Sequence, residues 1–159
     1  MGARKTQWFA ERLRRILREG PEGREGLWGL LGDVTVVEAH WRPVSGQPSI
    51  ADLVAHLAYR CAWAAHELRP DHPHPGPDPW PRPANTPGAW GELRKRLGHA
   101  VEACAQAVQE ADDTLLDRAA PGREGTWRDV LTDLLLEAAH TAGQITVLRR
   151  WYTTQEIAV

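Results

Sequence analysis

The first strongly periodic stretch covers residues 6–19, where Trp8, Phe9, Leu13, Ile16 and Leu17 recur at helical spacing among charged positions. Gly20-Pro21 ends it. Residues 21–33 are glycine-rich but hold Leu27, Trp28, Leu30 and Leu31, which predicts a short packed segment. Residues 35–41 predict a further helical turn that stops before Pro43. A long helix follows over residues 49–68, with Ile50, Leu53, Val54, Leu57, Cys61, Ala64 and Leu68 on one face. Ser49 is a good N-cap, and Asp52 three residues on makes a near capping box. Residues 70–88 read PDHPHPGPDPWPRPANTPG and contain eight prolines. Proline fixes φ and lacks a donor, so this is a long, stiff connection rather than helix or inner strand. A third amphipathic helix is predicted over 89–110, through Trp90, Leu93, Leu97, Val101, Cys104 and Val108. Residues 112–125 read as loop. Thr126 caps a last helix that runs to about Trp151 on Trp127, Leu131, Leu134, Leu135, Ala138, Ala142 and Ile145, leaving 152–159 as a tail. No segment alternates as a strand does. The expected fold is therefore all-α, a four-helix bundle with a long Pro-rich crossover loop, in a single domain spanning 1–159.

Length and composition agree with that picture. A chain of 159 residues can bury a core without staples. A net charge of −2 gives no global attraction to nucleic acid or anionic lipid. Arg4, Lys5, Arg12, Arg14, Arg15 and Arg18 form the solvated face of the first helix, and no second basic surface accompanies them. No apolar run approaches the ~18–20 residues of a membrane span. The N-terminal charges precede no apolar stretch, so the expectation is a cytoplasmic protein without a secretory signal. Cys61 and Cys104 are expected to be reduced, partly buried thiols. Eight tryptophans against one phenylalanine are expected mainly as core and interhelix filler, with some free to line a pocket.

Candidate chemistry concentrates on two helices. His56 flanks the apolar stripe of its helix, Glu137 flanks that of the last helix, and Thr141 lies one turn beyond Glu137. Bundles build ligand and metal sites from polar groups beside facing apolar stripes, although a lone flanking histidine also serves simply as a hydrogen-bonding residue. Tyr59, Arg60 and Trp63, one or two turns past His56, are expected around the same cavity. His72 and His74 form a His-x-His in the proline-rich loop and read as solvated. His40, His66 and His99 read as surface or packing residues. There is no Gly-rich phosphate loop, Cys-x-x-Cys or nucleophile elbow.

The stretch RPVSGQPSIADLVAHLAYRCAW resembles the second helix of DinB-like (DinB/YfiT) proteins, and LLLEAAHTAGQITVLRR resembles their last helix, whose signature is H-x-x-x-H-x-G-Q-I. The intervening DPWP, the W-x-x-L helix start and T-W-R-D-V-L fit as well, so the resemblance covers roughly residues 20–151. It implies a bundle holding a divalent metal through three histidines, one from the second helix and two from the last. Three protein ligands leave a position open for water or a thiolate, and some members are thiol-dependent transferases. Here His56 matches the first ligand, Glu137 stands at the second and Thr141 at the third, with His140 beside it. A carboxylate can replace imidazole on zinc, nickel or iron, whereas a neutral hydroxyl is a poor ligand. The implied metal set is therefore His56, Glu137 and His140, with Tyr59, Arg60, Trp63, Thr141 and Gln144 around the pocket. Gly143 is expected at a close helix–helix contact and Gln144 at a hydrogen bond.

Two readings follow. One is a metal-dependent thiol transferase or hydrolase, whose metal lowers the pKa of a water or thiol. The other is a metal-free small-molecule-binding or regulatory bundle, in which His56 and Glu137 pair with each other. A small-molecule ligand or thiol cosubstrate is the expected partner, with neither nucleic acid nor membrane, and a homodimer is the expected assembly.

Overall fold

The computed structural model describes residues 4–157. Six α-helices follow one another: α1 Lys5–Arg18, α2 Leu27–Leu31, α3 Val36–His40, α4 Ile50–Leu68, α5 Pro87–Glu110 and α6 Trp127–Ile157, with 3-10 turns at Pro21–Gly23 and Asp113–Asp117. Among the described residues there is no strand, only two isolated bridges.

Each long helix begins where side chains satisfy its free N–H groups. Ser49 and Asp52 form a complete capping box on α4. On α5, Thr86 accepts from the Ala89 N–H and Pro87 occupies the first helical position. The Asp129 carboxylate, in the first turn of α6, accepts from the Thr126 N–H and hydroxyl. For α1 the cap comes from elsewhere in the chain. Asp113 accepts from the Lys5 N–H and the Thr6 N–H, each at 3.0 Å, and from the Thr6 hydroxyl.

Helices α1, α5, α4 and α6 form a ring in which α5 packs on α1 and α4, and α6 closes the gap between α4 and α1. Their facing stripes supply Leu13, Leu57, Leu97, Leu131 and Ile145, all essentially without exposure. Each such side chain contributes roughly 1.5–3 kcal/mol. The small helices α2 and α3 touch all four long helices and close one end. There the Trp90 Nε1–H donates to the Val34 carbonyl at 2.9 Å. Arg149 of α6 reaches Glu38 at 3.0 Å, Asp33 at 2.9 Å and the Leu30 carbonyl at 3.0 Å.

Several expectations change in detail. The proline-rich connection joins the neighbours α4 and α5, while the diagonal crossings run through α2–α3 and through the Asp113–Asp117 turn, inside the stretch expected to be loop. Most of the expected tail is helix, because no glycine or proline follows Trp151 and Tyr152 sets its ring edge-on to Trp41 at 5.7 Å. Residues 158–159 lie outside the described residues. Only Trp90 and Trp127 are fully core, while Trp8, Trp28, Trp80 and Trp151 are exposed. Gly143 is exposed, and a Cβ there would meet nothing within 4 Å, so it marks no helix contact. The close approach is at Gly98 instead, where a Cβ would come within 2.9 Å of the Trp28 ring.

Candidate functional site

One turn of α4 separates His56 from Arg60, so both leave the same face. That face meets α6 at Glu137. His56 Nε2 approaches Glu137 Oε1 at 2.7 Å, and an Arg60 terminal nitrogen stands 3.6 Å from Oε2. All three side chains are less than one-fifth exposed, at 14%, 16% and 19% for His56, Arg60 and Glu137. Arg60 Nε is buried there without a hydrogen-bond partner, which costs about 1–3 kcal/mol.

The proline-rich loop covers this centre. His56 Nδ1–H donates to the Pro79 carbonyl, and the Trp80 ring lies flat on the imidazole, 3.7 Å between centroids and 5° from parallel. From the other side comes Arg123, carried on a turn between Gly122 and Gly125, both at positive φ. Its guanidinium sits over Trp63 at 4.5 Å, and Trp63 stacks on Trp127 at 6.1 Å. Burial opposes a charge on Glu137. The His56 contact, Arg60 and Arg123 outweigh it and hold the carboxyl below the ordinary glutamate range. Arg123 is itself lowered by burial and by the like charge of Arg60.

The two residues on which the sequence argument rested, His56 and Glu137, are thus brought together. Arg60 joins them, and Trp63 stands behind Arg123. Thr141 is buried on α6, Gln144 is half-buried, and Tyr59 is half-buried on the side of α4 that faces α5. His140 is exposed. Sequence reasoning missed Arg123 and the covering role of Trp80. An aromatic fixed between Pro79 and Pro81 was the one available signal for Trp80, and nothing in the local pattern marks Arg123.

A family model described as the DinB superfamily matches residues 22–145. The chain belongs to the DinB superfamily. The match takes in α2 to α5 and most of α6, and so His56, Arg60, Arg123, Glu137 and Thr141. Helix α1 and the last turns of α6 lie outside it. Searches of curated proteins and of solved structures return no match.

For this DinB-superfamily chain, the donor set does not fit a divalent metal held by three ligands. Only His56 and Glu137 converge, Thr141 offers a neutral hydroxyl, and His140 faces solvent. Arg60 brings a fixed positive charge to the carboxylate that a cation would need. Among the described residues no three His, Cys, Asp or Glu side chains gather as a metal cluster. Cys61 and Cys104 are buried and unpaired; burial pushes Cys104 up to about 12 and Cys61 well above its ordinary value. Among the described residues no helix is long and apolar enough to cross a membrane.

Proposed function

We propose that this DinB-superfamily protein is a metal-independent small-molecule-binding bundle. In this reading His56, Glu137, Arg60 and Arg123 form a charged seat beneath the Trp80 cover. The observation that carries it is the guanidinium of Arg60 on the same carboxylate that meets His56. Arg60 and Arg123 both act on Glu137, and Asp133 is a second carboxylate acting on Arg123. The guanidinium donors suit a ligand that brings a hydrogen-bond acceptor. The buried, unpartnered Arg60 Nε supplies a donor for such a ligand. Trp80 is half-exposed and sits on the loop rather than on a helix, so lifting it breaks only its stacking on His56 and the neighbouring Pro79 hydrogen bond. The same reading keeps the protein in the cytoplasm, in line with two unpaired thiols.

The test is metal content. Protein prepared without a histidine tag is measured by mass spectrometry as isolated and again after zinc, nickel or iron(II) is offered and excess removed. Well under one equivalent is expected in both cases. One equivalent of metal that disappears in His56→Ala would overturn the proposal and restore the metal-dependent transferase or hydrolase reading.

A further inference from the structure

An apolar groove lies on the other side of the proline-rich loop, between α4 and α5. After Trp80 turns onto His56, the next residues, Pro81, Arg82 and Pro83, form one wall of a groove of about 480 Å³. Ala58, Ala62, Ala100 and Ala103 floor it, so two helices that touch closely elsewhere leave a trough where their side chains are short. That volume is within the range of small-molecule sites. His72, Pro73, His74 and Pro75 of the same loop line it as well. The Gly76 N–H donates to His74 Nδ1 at 3.1 Å, and His66 Nδ1–H donates to the His72 carbonyl at 2.7 Å. The rings of His66 and His74 meet edge-on at 5.0 Å. Of the His-x-His expected to be solvated, His74 remains exposed, while His72 is half-buried and its carbonyl is bound by His66 of α4.

Three observations point to the class of ligand. The polar groups around the groove are arginine, histidine and tyrosine, and among the described residues none lining it is acidic. Arg82 and Arg96 both stand at the groove, and no carboxylate engages either of them among the described residues. His72, which lines the groove, buries its Nε2 with no hydrogen-bond partner. An apolar trough with uncompensated cations at its edge and an unpaired ring nitrogen in its wall is complementary to one kind of molecule. We infer that this groove is a second binding site, for an amphipathic organic anion whose aromatic or alkyl body lies along the alanines and whose carboxylate or sulfonate meets Arg82 and Arg96. The site is separate from the His56–Glu137 centre and needs neither a metal nor that centre's ligand.

The probe is the aryl sulfonate 8-anilinonaphthalene-1-sulfonate, followed by fluorescence, with decanoate as competitor and the uncharged N-phenyl-1-naphthylamine as comparison. Saturable 1:1 binding displaced by decanoate is expected, with the uncharged compound at least about tenfold weaker. Arg82→Gln/Arg96→Gln should weaken the sulfonate at least about fivefold while leaving the uncharged compound unchanged. Ala62→Trp fills the trough and should weaken both compounds at least about tenfold. Only variants with the wild-type far-ultraviolet circular dichroism and a cooperative thermal transition are read, and Ala103→Trp replaces Ala62→Trp if the latter does not fold. Equal affinity for charged and uncharged compounds, or unchanged binding in the folded, filled variant, would overturn the inference. The metal measurement above bears on neither outcome, so the two proposals fail separately.

Discussion

Glu137 is where a single side chain decides the character of the centre. Its carboxyl is held below the ordinary glutamate range, so the folded state binds that proton less readily than the unfolded chain. Its stabilisation is therefore complete above the ordinary range and disappears as pH falls through the lowered value. Glu137→Gln should cost about 1–2 kcal/mol at pH 7, since it leaves Arg60 without its counter-charge. Urea denaturation across pH should show the gap from wild type closing below about pH 4. A complementary experiment rebuilds the family pattern. Glu137→His with Thr141→His places two imidazoles four residues apart on α6, opposite His56. This double variant should take up about one equivalent of zinc, read by calorimetry, where the parent takes up far less.

At the scale of elements, the structure relies on caps and close approaches, some local and some distant. The start of α4 was legible because Ser49 and Asp52 are three residues apart, and the local sequence contains the whole device. The start of α1 was not, since its capping carboxylate, Asp113, is supplied from more than a hundred residues away. Hydrogen bonds from the Thr6 and Lys5 N–H groups hold Asp113 below the ordinary aspartate range. Its contribution is present at neutral pH and lost in acid. Asp113→Ala should lower Tm by about 2–4 °C at pH 7, and a thermal scan should find the difference shrinking below about pH 4. The same contrast explains the histidines of the proline-rich loop. Proline content predicted a stiff connection, but nothing local states which helices it lies against, so His72, which is half-buried, looked as solvated as the exposed His74. Gly98 belongs here too. As a glycine in a helix it reads as a propensity defect of about 1 kcal/mol, yet it makes room for Trp28, and that partner lies on another helix.

For the whole molecule, periodicity was enough to give the bundle, because four long amphipathic stripes have few ways to bury themselves together. The diagonal order of the helices was not legible. It depends on how α2 and α3 close the end, and that closure is fastened by Arg149 reaching Glu38, Asp33 and a backbone carbonyl across more than a hundred residues. Desolvation works against the Arg149 charge, but Asp33 and Glu38 outweigh it and raise the group above its ordinary value. Arg149→Ala orphans Glu38, which is only 9% exposed. The expected loss is about 2 kcal/mol by chemical denaturation, below the cost for a wholly interior pair because about a quarter (26%) of the Arg149 side chain meets solvent.

Cys61 on α4 and Cys104 on α5 make the seam between these two helices chemically addressable. An alkylating reagent reacts with thiolate, and both groups are sealed from solvent and held strongly in the protonated form. Labelling therefore has to wait until α4 and α5 separate. With iodoacetamide in the native buffer, mass spectrometry should record the two sites reacting at one common slow rate, and that rate serves as a clock for the opening of the entire fold.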